Sequence, residues 1–182
     1  KLREAGFEFF EDGGVLMARK FVAHGDEHLL YLANEQRNKK ISEIAMSNER
    51  VLVLFNKIKH GELLHSMIPS SILVHGKDDR AARAAARKAL EEDARAVVIA
   101  SSIWDIGVDV PAIKNLVIAS SHVSAPRVVQ KAGRATRKSE STGKLTATIH
   151  DFATSDNAMA SKQTAKKIKI YEEIMKLKVE YR

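Results

Sequence analysis

In the stretch "SAPRVVQKAGRATRK", residues 124–138, two arginines, Arg134 and Arg137, stand three positions apart just after Gly133. Ser124 can N-cap a helix and Pro126 suits its first turn, so the stretch reads as a loop that becomes helical. Residues three apart then share a face. Two planar guanidinium forks aimed together match a bound phosphate better than they match water. A solvated basic face accounts for the same letters, and this stretch alone does not decide between the two.

Three other stretches could carry chemistry. "HGDEH" (24–28) has the H-x-x-E-H spacing of a zinc protease family. Gly25 and Asp26 read as a helix start, which leaves His24 off the helix, and nothing downstream nominates a third ligand. No metal site is expected. The same letters approximate a DEAH box, but such a box ends an apolar strand and the flank here is polar. "HGKDD" (75–79) and "STGKLT" (141–146) each contain Gly-Lys, yet neither fits G-x-x-x-x-G-K-[ST]. The chain by itself therefore has no P-loop grip on a nucleoside triphosphate. "IASSIWDIGVDVP" (99–111) places Ser101 and Ser102 at a strand end, followed by a Gly107-x-Asp109 turn. Hydroxyls and amides there could take a phosphate, and an aspartate could accept hydrogen bonds from a ribose. As plain turn residues, Asp109 and Pro111 need no such reason.

The elements that must position these residues alternate regularly. "FEFFEDGGVLMARKFVAH" reads as a hairpin around Asp12-Gly13-Gly14. A helical pattern starts at Asp26, with Leu29, Leu30, Ala33, Ile41 and Ile44 near one face. An unbroken apolar run at 51–55 and four further short strands at 71–76, 96–101, 115–120 and 144–152 follow, separated by helical stretches. β-Branched runs alternating with helices predict a parallel sheet covered on both faces, which binds ligands at the carboxyl ends of its strands. From Ser161 a lysine-rich amphipathic helix is expected, docking through Ile168, Tyr171, Ile174 and Met175.

At 182 residues the chain suffices for one sizeable α/β domain. Its formal charge of +7 favours polyanionic partners without naming one. It has no cysteine, so disulfide frameworks and thiolate metal sites are excluded. No apolar run approaches the ~18 residues of a membrane span, and the amino end lacks a signal-peptide core. No membrane association is expected.

Four segments, in order, resemble the C-terminal RecA-like lobe of superfamily 2 helicases and translocases. "VLVLFNKIKHGELL" resembles the motif IV strand and helix, and "ILVHGKDDR" the next segment, where a strand ends in His-Gly with an arginine shortly after. "VVIASSIWDIGVDVPAI" resembles motif V and "QKAGRATR" motif VI. The flavour is that of phage and restriction-type DNA translocases, which favours DNA over RNA and a cytoplasmic setting in a bacterial or phage-infected cell.

The resemblance implies a RecA-like α/β fold with an N-terminal hairpin extension and a C-terminal amphipathic helix. Residues 1–49 would form the extension, 50–152 the lobe, and 153–182 the helix packed on it. The P-loop and DExx box belong to an N-terminal lobe of the same protein, which would hold ATP with its Mg2+. This chain alone is then expected to be inactive. Arg134 and Arg137 match the arginine fingers, Gln130 and Gly133 the neighbouring motif VI positions, and Gly107 and Asp109 the motif V pair near the ribose. Asn56, His75, Gly76, Arg80, Ser101 and Ser102 match backbone contacts to nucleic acid. Lys131 stands where the family has arginine, and Ser101 where it has threonine. A non-catalytic nucleic-acid-binding module of RecA-like shape is the alternative; it gives no reason for two arginines to share a face. A stand-alone dinucleotide enzyme is disfavoured, because "LFNKIKHG" is no glycine-rich turn.

Overall fold

In the computed structural model, residues 7–12, 15–20, 34–101, 110–119, 133, 137–140, 142–153 and 158–180 are described. An apolar run with no polar alternation has to be covered from both sides. The runs "VLVLF" and "VVIAS" meet that condition as β3 (Val51–Phe55) and β5 (Val97–Ser101), buried at every position. They pair in parallel, with Val51 opposite Val97 and Phe55 opposite Ser101. β4 (Ile72–Val74), β6 (Asn115–Ile118) and β7 (Thr148–Asp151) complete a five-stranded sheet in the order β4-β5-β3-β6-β7, parallel throughout. Two further strands, β1 (Phe7–Asp12) and β2 (Val15–Lys20), form a separate antiparallel hairpin in which Asp12 pairs with Val15. The parallel sheet and the hairpin are both as the sequence predicts.

Successive side chains of a strand point to opposite faces, and two cores result. On one face Leu52, Leu54 and Val98 pack with Ala86 and Leu90 of α3 (Arg80–Glu92). On the other, Val51, Val53 and Phe55 pack with Ile41 and Ala45 of α1 (Glu35–Ser47) and Leu64 of α2 (Ile58–Met67). Each fully buried Leu or Ile contributes about 1.5–3 kcal/mol relative to exposure. α2 lies so close to β3 that a Cβ at Gly61 would stand 2.5 Å from the Phe55 ring, so that position admits only glycine without repacking.

Boundaries differ from expectation for identifiable reasons. The strand expected at 71–76 stops at Val74 because the backbone N–H of His75 donates to Asp78 Oδ2 at 2.6 Å and so leaves the ladder. α1 starts at Glu35, where Asn34 Oδ1 accepts from the Arg37 N–H at 3.0 Å; residues 26–33 lie outside the described residues. α4 (Ala158–Lys169) continues into a wide turn over Ile170–Ile174, where Met175 N–H reaches back five residues to the Ile170 carbonyl. The wider turn rotates the apolar face. Ile170 and Tyr171 are buried, Ile168 only partly, and Ile174, expected in the docking stripe, is exposed.

Candidate nucleic-acid interface

Parallel strands end on one side of a sheet, and the order β4-β5-β3 makes three of those ends neighbours. His75 and Gly76 follow β4, Ser101 ends β5, and Asn56 follows β3. Val74 and Leu54 both pair with Ala100, so His75, Ser101 and Phe55 are level with one another across strands about 4.8 Å apart. The sequence-nominated residues Asn56, His75, Gly76 and Ser101 are thus gathered on one rim, and Arg80 opens α3 beside it.

The turn after β4 is held by its own side chains. Asp78 accepts the His75 N–H and returns its own N–H to the His75 carbonyl at 3.1 Å. His75 Nδ1 stands 3.2 Å from Asp78 Oδ1. Arg83 donates from Nε and Nη2 to the Asp78 carbonyl at 3.2 and 2.7 Å. Asp79 caps α3 by accepting the Ala82 N–H at 2.7 Å. Arg83 therefore braces the turn, and Arg87 pairs with Glu91 along the helix at 3.0 Å. Arg80, by contrast, is exposed at the first turn. Ser101 is only 6% exposed, and its Oγ has no hydrogen-bond partner among the described residues.

The arginine segment is part of the crossover from β6 to β7. Of its nominated residues, Gly133 and Arg137 are described. Arg137 is exposed, and a Cβ placed on Gly133 would meet no described residue within 4 Å. Ser102, Gly107, Asp109, Gln130, Lys131 and Arg134 lie outside the described residues, as does His24-Gly25-Asp26-Glu27-His28. Among the described residues no three His, Asp or Glu side chains converge on a metal position. No helix among them is long and apolar enough to cross a membrane.

Three residues that the sequence did not single out organise the far side of the rim. Arg37 Nη2 donates to the Ala119 carbonyl just past β6 at 3.1 Å, and its guanidinium lies 4.9 Å from the centre of the Phe152 ring just past β7. Behind it, buried Asn38 Oδ1 lies 2.9 Å from His60 Nε2. Desolvation, and then the positive charge of Arg37, lowers the His60 pKa to about 4, so the ring is neutral. These residues sit in helices rich in polar side chains, where spacing alone does not separate a buried Asn or His from a solvated one.

The helicase conserved C-terminal domain model matches residues 35–139. No curated protein sequence matches the chain. Among solved structures the chain is similar to T4 UvsW, with TM-score 0.61 and 20% identity over 85% of this chain and 36% of that one. It is similar to a fragment of a putative HsdR subunit of a type I restriction enzyme from Vibrio vulnificus, with TM-score 0.58 and 18% identity over 76% of this chain and 30% of that one. It is also similar to the C-terminal domain of the DEAD-box protein Dbp5, with TM-score 0.58 and 14% identity over 76% of this chain and 79% of that one. The chain spans about a third of the length of the first two.

Proposed function

This chain belongs to the helicase conserved C-terminal domain family and has the RecA-like fold of the superfamily 2 C-terminal lobe, and from that premise we propose that it is the second motor lobe of an ATP-dependent DNA helicase or translocase. The observation that carries this reading is the family match over residues 35–139, which ends on the segment of Gly133 and the exposed Arg137.

ATP is the substrate, gripped by the P-loop of an N-terminal lobe that also keeps its Mg2+. The described residues of this chain offer no carboxylate cluster for that ion. Arg134 and Arg137 offset charge developing on the transferred phosphoryl group, an effect of about 10³–10⁵ in rate for such fingers. Gln130 orders the same side of the cleft, Gly133 admits the phosphates closely, and Gly107 with Asp109 meets the ribose. Lys131 supplies charge without a bidentate fork. Asn56, His75, Gly76, Arg80, Ser101 and Ser102 contact the nucleic-acid backbone. Because phosphates carry little sequence information, binding is independent of sequence and sensitive to salt. Closing and opening the cleft shifts one lobe's grip relative to the other's.

Replacing Arg134 and Arg137 together by alanine in the intact protein tests this. The expected result is loss of nucleic-acid-stimulated ATP hydrolysis with nucleic-acid affinity kept within about twofold. Lost affinity with unchanged hydrolysis would replace the motor lobe by a non-catalytic binding module.

A further inference from the structure

The Gly143-Lys144 pair fits no phosphate loop, and the structure gives the lysine a different task. Lys144 is 3% exposed, and its Nζ donates to the Pro111 carbonyl at 2.8 Å. A tight turn holds it in place. Ser139 and Lys144 exchange backbone hydrogen bonds of 3.0 Å in both directions, and Gly143 takes the left-handed φ of +63° that returns the chain. The other end of the contact is anchored too. Pro111 lies in a turn closed by Ile113 N–H to the Val110 carbonyl at 3.2 Å, and Val110, Ala112 and Ile113 are buried in the sheet core.

Along the chain, Pro111 comes two residues after Asp109, and Ser139 two residues after Arg137. One ammonium group therefore ties the segment of the proposed ribose contact to the segment of the proposed arginine finger. A buried ammonium needs hydrogen-bond acceptors, and a backbone carbonyl on a fixed turn is one held in a single geometry. We propose that Lys144 is a positioning residue that sets the separation between these two segments, so that both reach the same nucleotide. The inference rests on the motor-lobe reading above and names its internal brace.

The test is a double-mutant cycle on ATP hydrolysis by the intact protein, using Lys144→Met and Arg137→Ala. Misplacing a catalytic group by about 1 Å costs on the order of 10²-fold in rate. The expected result is a fall in kcat of about that size for Lys144→Met, with nucleic-acid affinity within about twofold, and no further fall when it is added to Arg137→Ala. Lys144→Arg, which keeps a cation, should recover part of the loss. Leu90→Val, a core change under α3, should lower the melting temperature without lowering kcat per folded molecule. If Lys144→Met does not accumulate as folded protein, Lys144→Gln is measured in the same cycle with the same expectations. Unchanged kcat, an equal fall in both backgrounds, or a fall that merely tracks melting temperature as in Leu90→Val would overturn the brace alone. An Arg137→Ala protein with unimpaired hydrolysis would overturn the brace and the motor-lobe reading together.

Discussion

His60 is buried between α1 and α2 with Asn38 at its Nε2 and the charge of Arg37 nearby, and this environment favours the neutral ring. The folded pKa, about 4, lies below the ordinary 6.5, so on acidification the unfolded chain takes up the proton before the folded one does. Stability from this group is complete above pH 6.5, declines as pH falls from 6.5 toward 4, and changes no further below that. At about 1.4 kcal/mol per pH unit the loss is about 3 kcal/mol. Urea midpoints measured across that range should show it, and His60→Gln should flatten this part of the profile. An unchanged profile in the variant would assign the acid sensitivity elsewhere. At the rim, Arg80 is read as a phosphate contact, so Arg80→Ala should lower nucleic-acid affinity equally for unrelated sequences. It should also reduce the log–log salt slope by about one. An unaltered slope would remove Arg80 from the interface. Arg80 is nominated by a family pattern, an arginine just past a strand's His-Gly; no such pattern points to Arg37, Asn38 or His60. Whether a helical polar residue is buried depends on which neighbour covers it, and residues 119 and 152 are far from 37 in sequence.

At the scale of elements, α4 is fastened by a polar cluster at the carboxyl end of β7. Lys167 Nζ lies 2.6 Å from Asp151 Oδ1, with side chains 5% and 14% exposed, and Tyr171 donates its hydroxyl to Oδ2 at 2.8 Å. Burial, then the Asp151 charge and that hydrogen bond, pushes the Tyr171 pKa far above the usual phenol range, so the hydroxyl remains a donor. Removing one partner of a buried ion pair typically costs about 3–5 kcal/mol, because the other charge is left uncompensated. Lys167→Met should therefore loosen α4, seen as faster amide exchange over 158–180. Adding Asp151→Asn should restore part of that protection, and a double variant as labile as the single one would count against the ion-pair account. β3, β5 and β6 are readable because strands buried at every position show as short runs of apolar residues, while the partly exposed β4 and β7 are read from their place in the alternation with helices. A regular 3.6-residue spiral would place Ile174 in the docking face of the last helix; the chain widens its turn at Ile170, and Ile174 is exposed.

Across the whole molecule, the sheet order brings Asn56, His75, Gly76 and Ser101, spread over 46 positions of sequence, to one rim, while Arg37 and Lys144 secure the crossover that carries Arg137. The strand ends could be anticipated from the alternation of elements, but their adjacency required the order of strands, which a short apolar run does not encode. The central claim is that this chain's arginines act on the transition state of a nucleotide bound chiefly by another lobe. Retention of ADP with fluoroaluminate, a mimic of the transferring phosphoryl group, by the intact protein in the presence of nucleic acid measures that directly. The account predicts that Arg134→Ala/Arg137→Ala abolishes the trapped complex while ATP still binds. A variant that traps the mimic as well as the unmodified protein would contradict it.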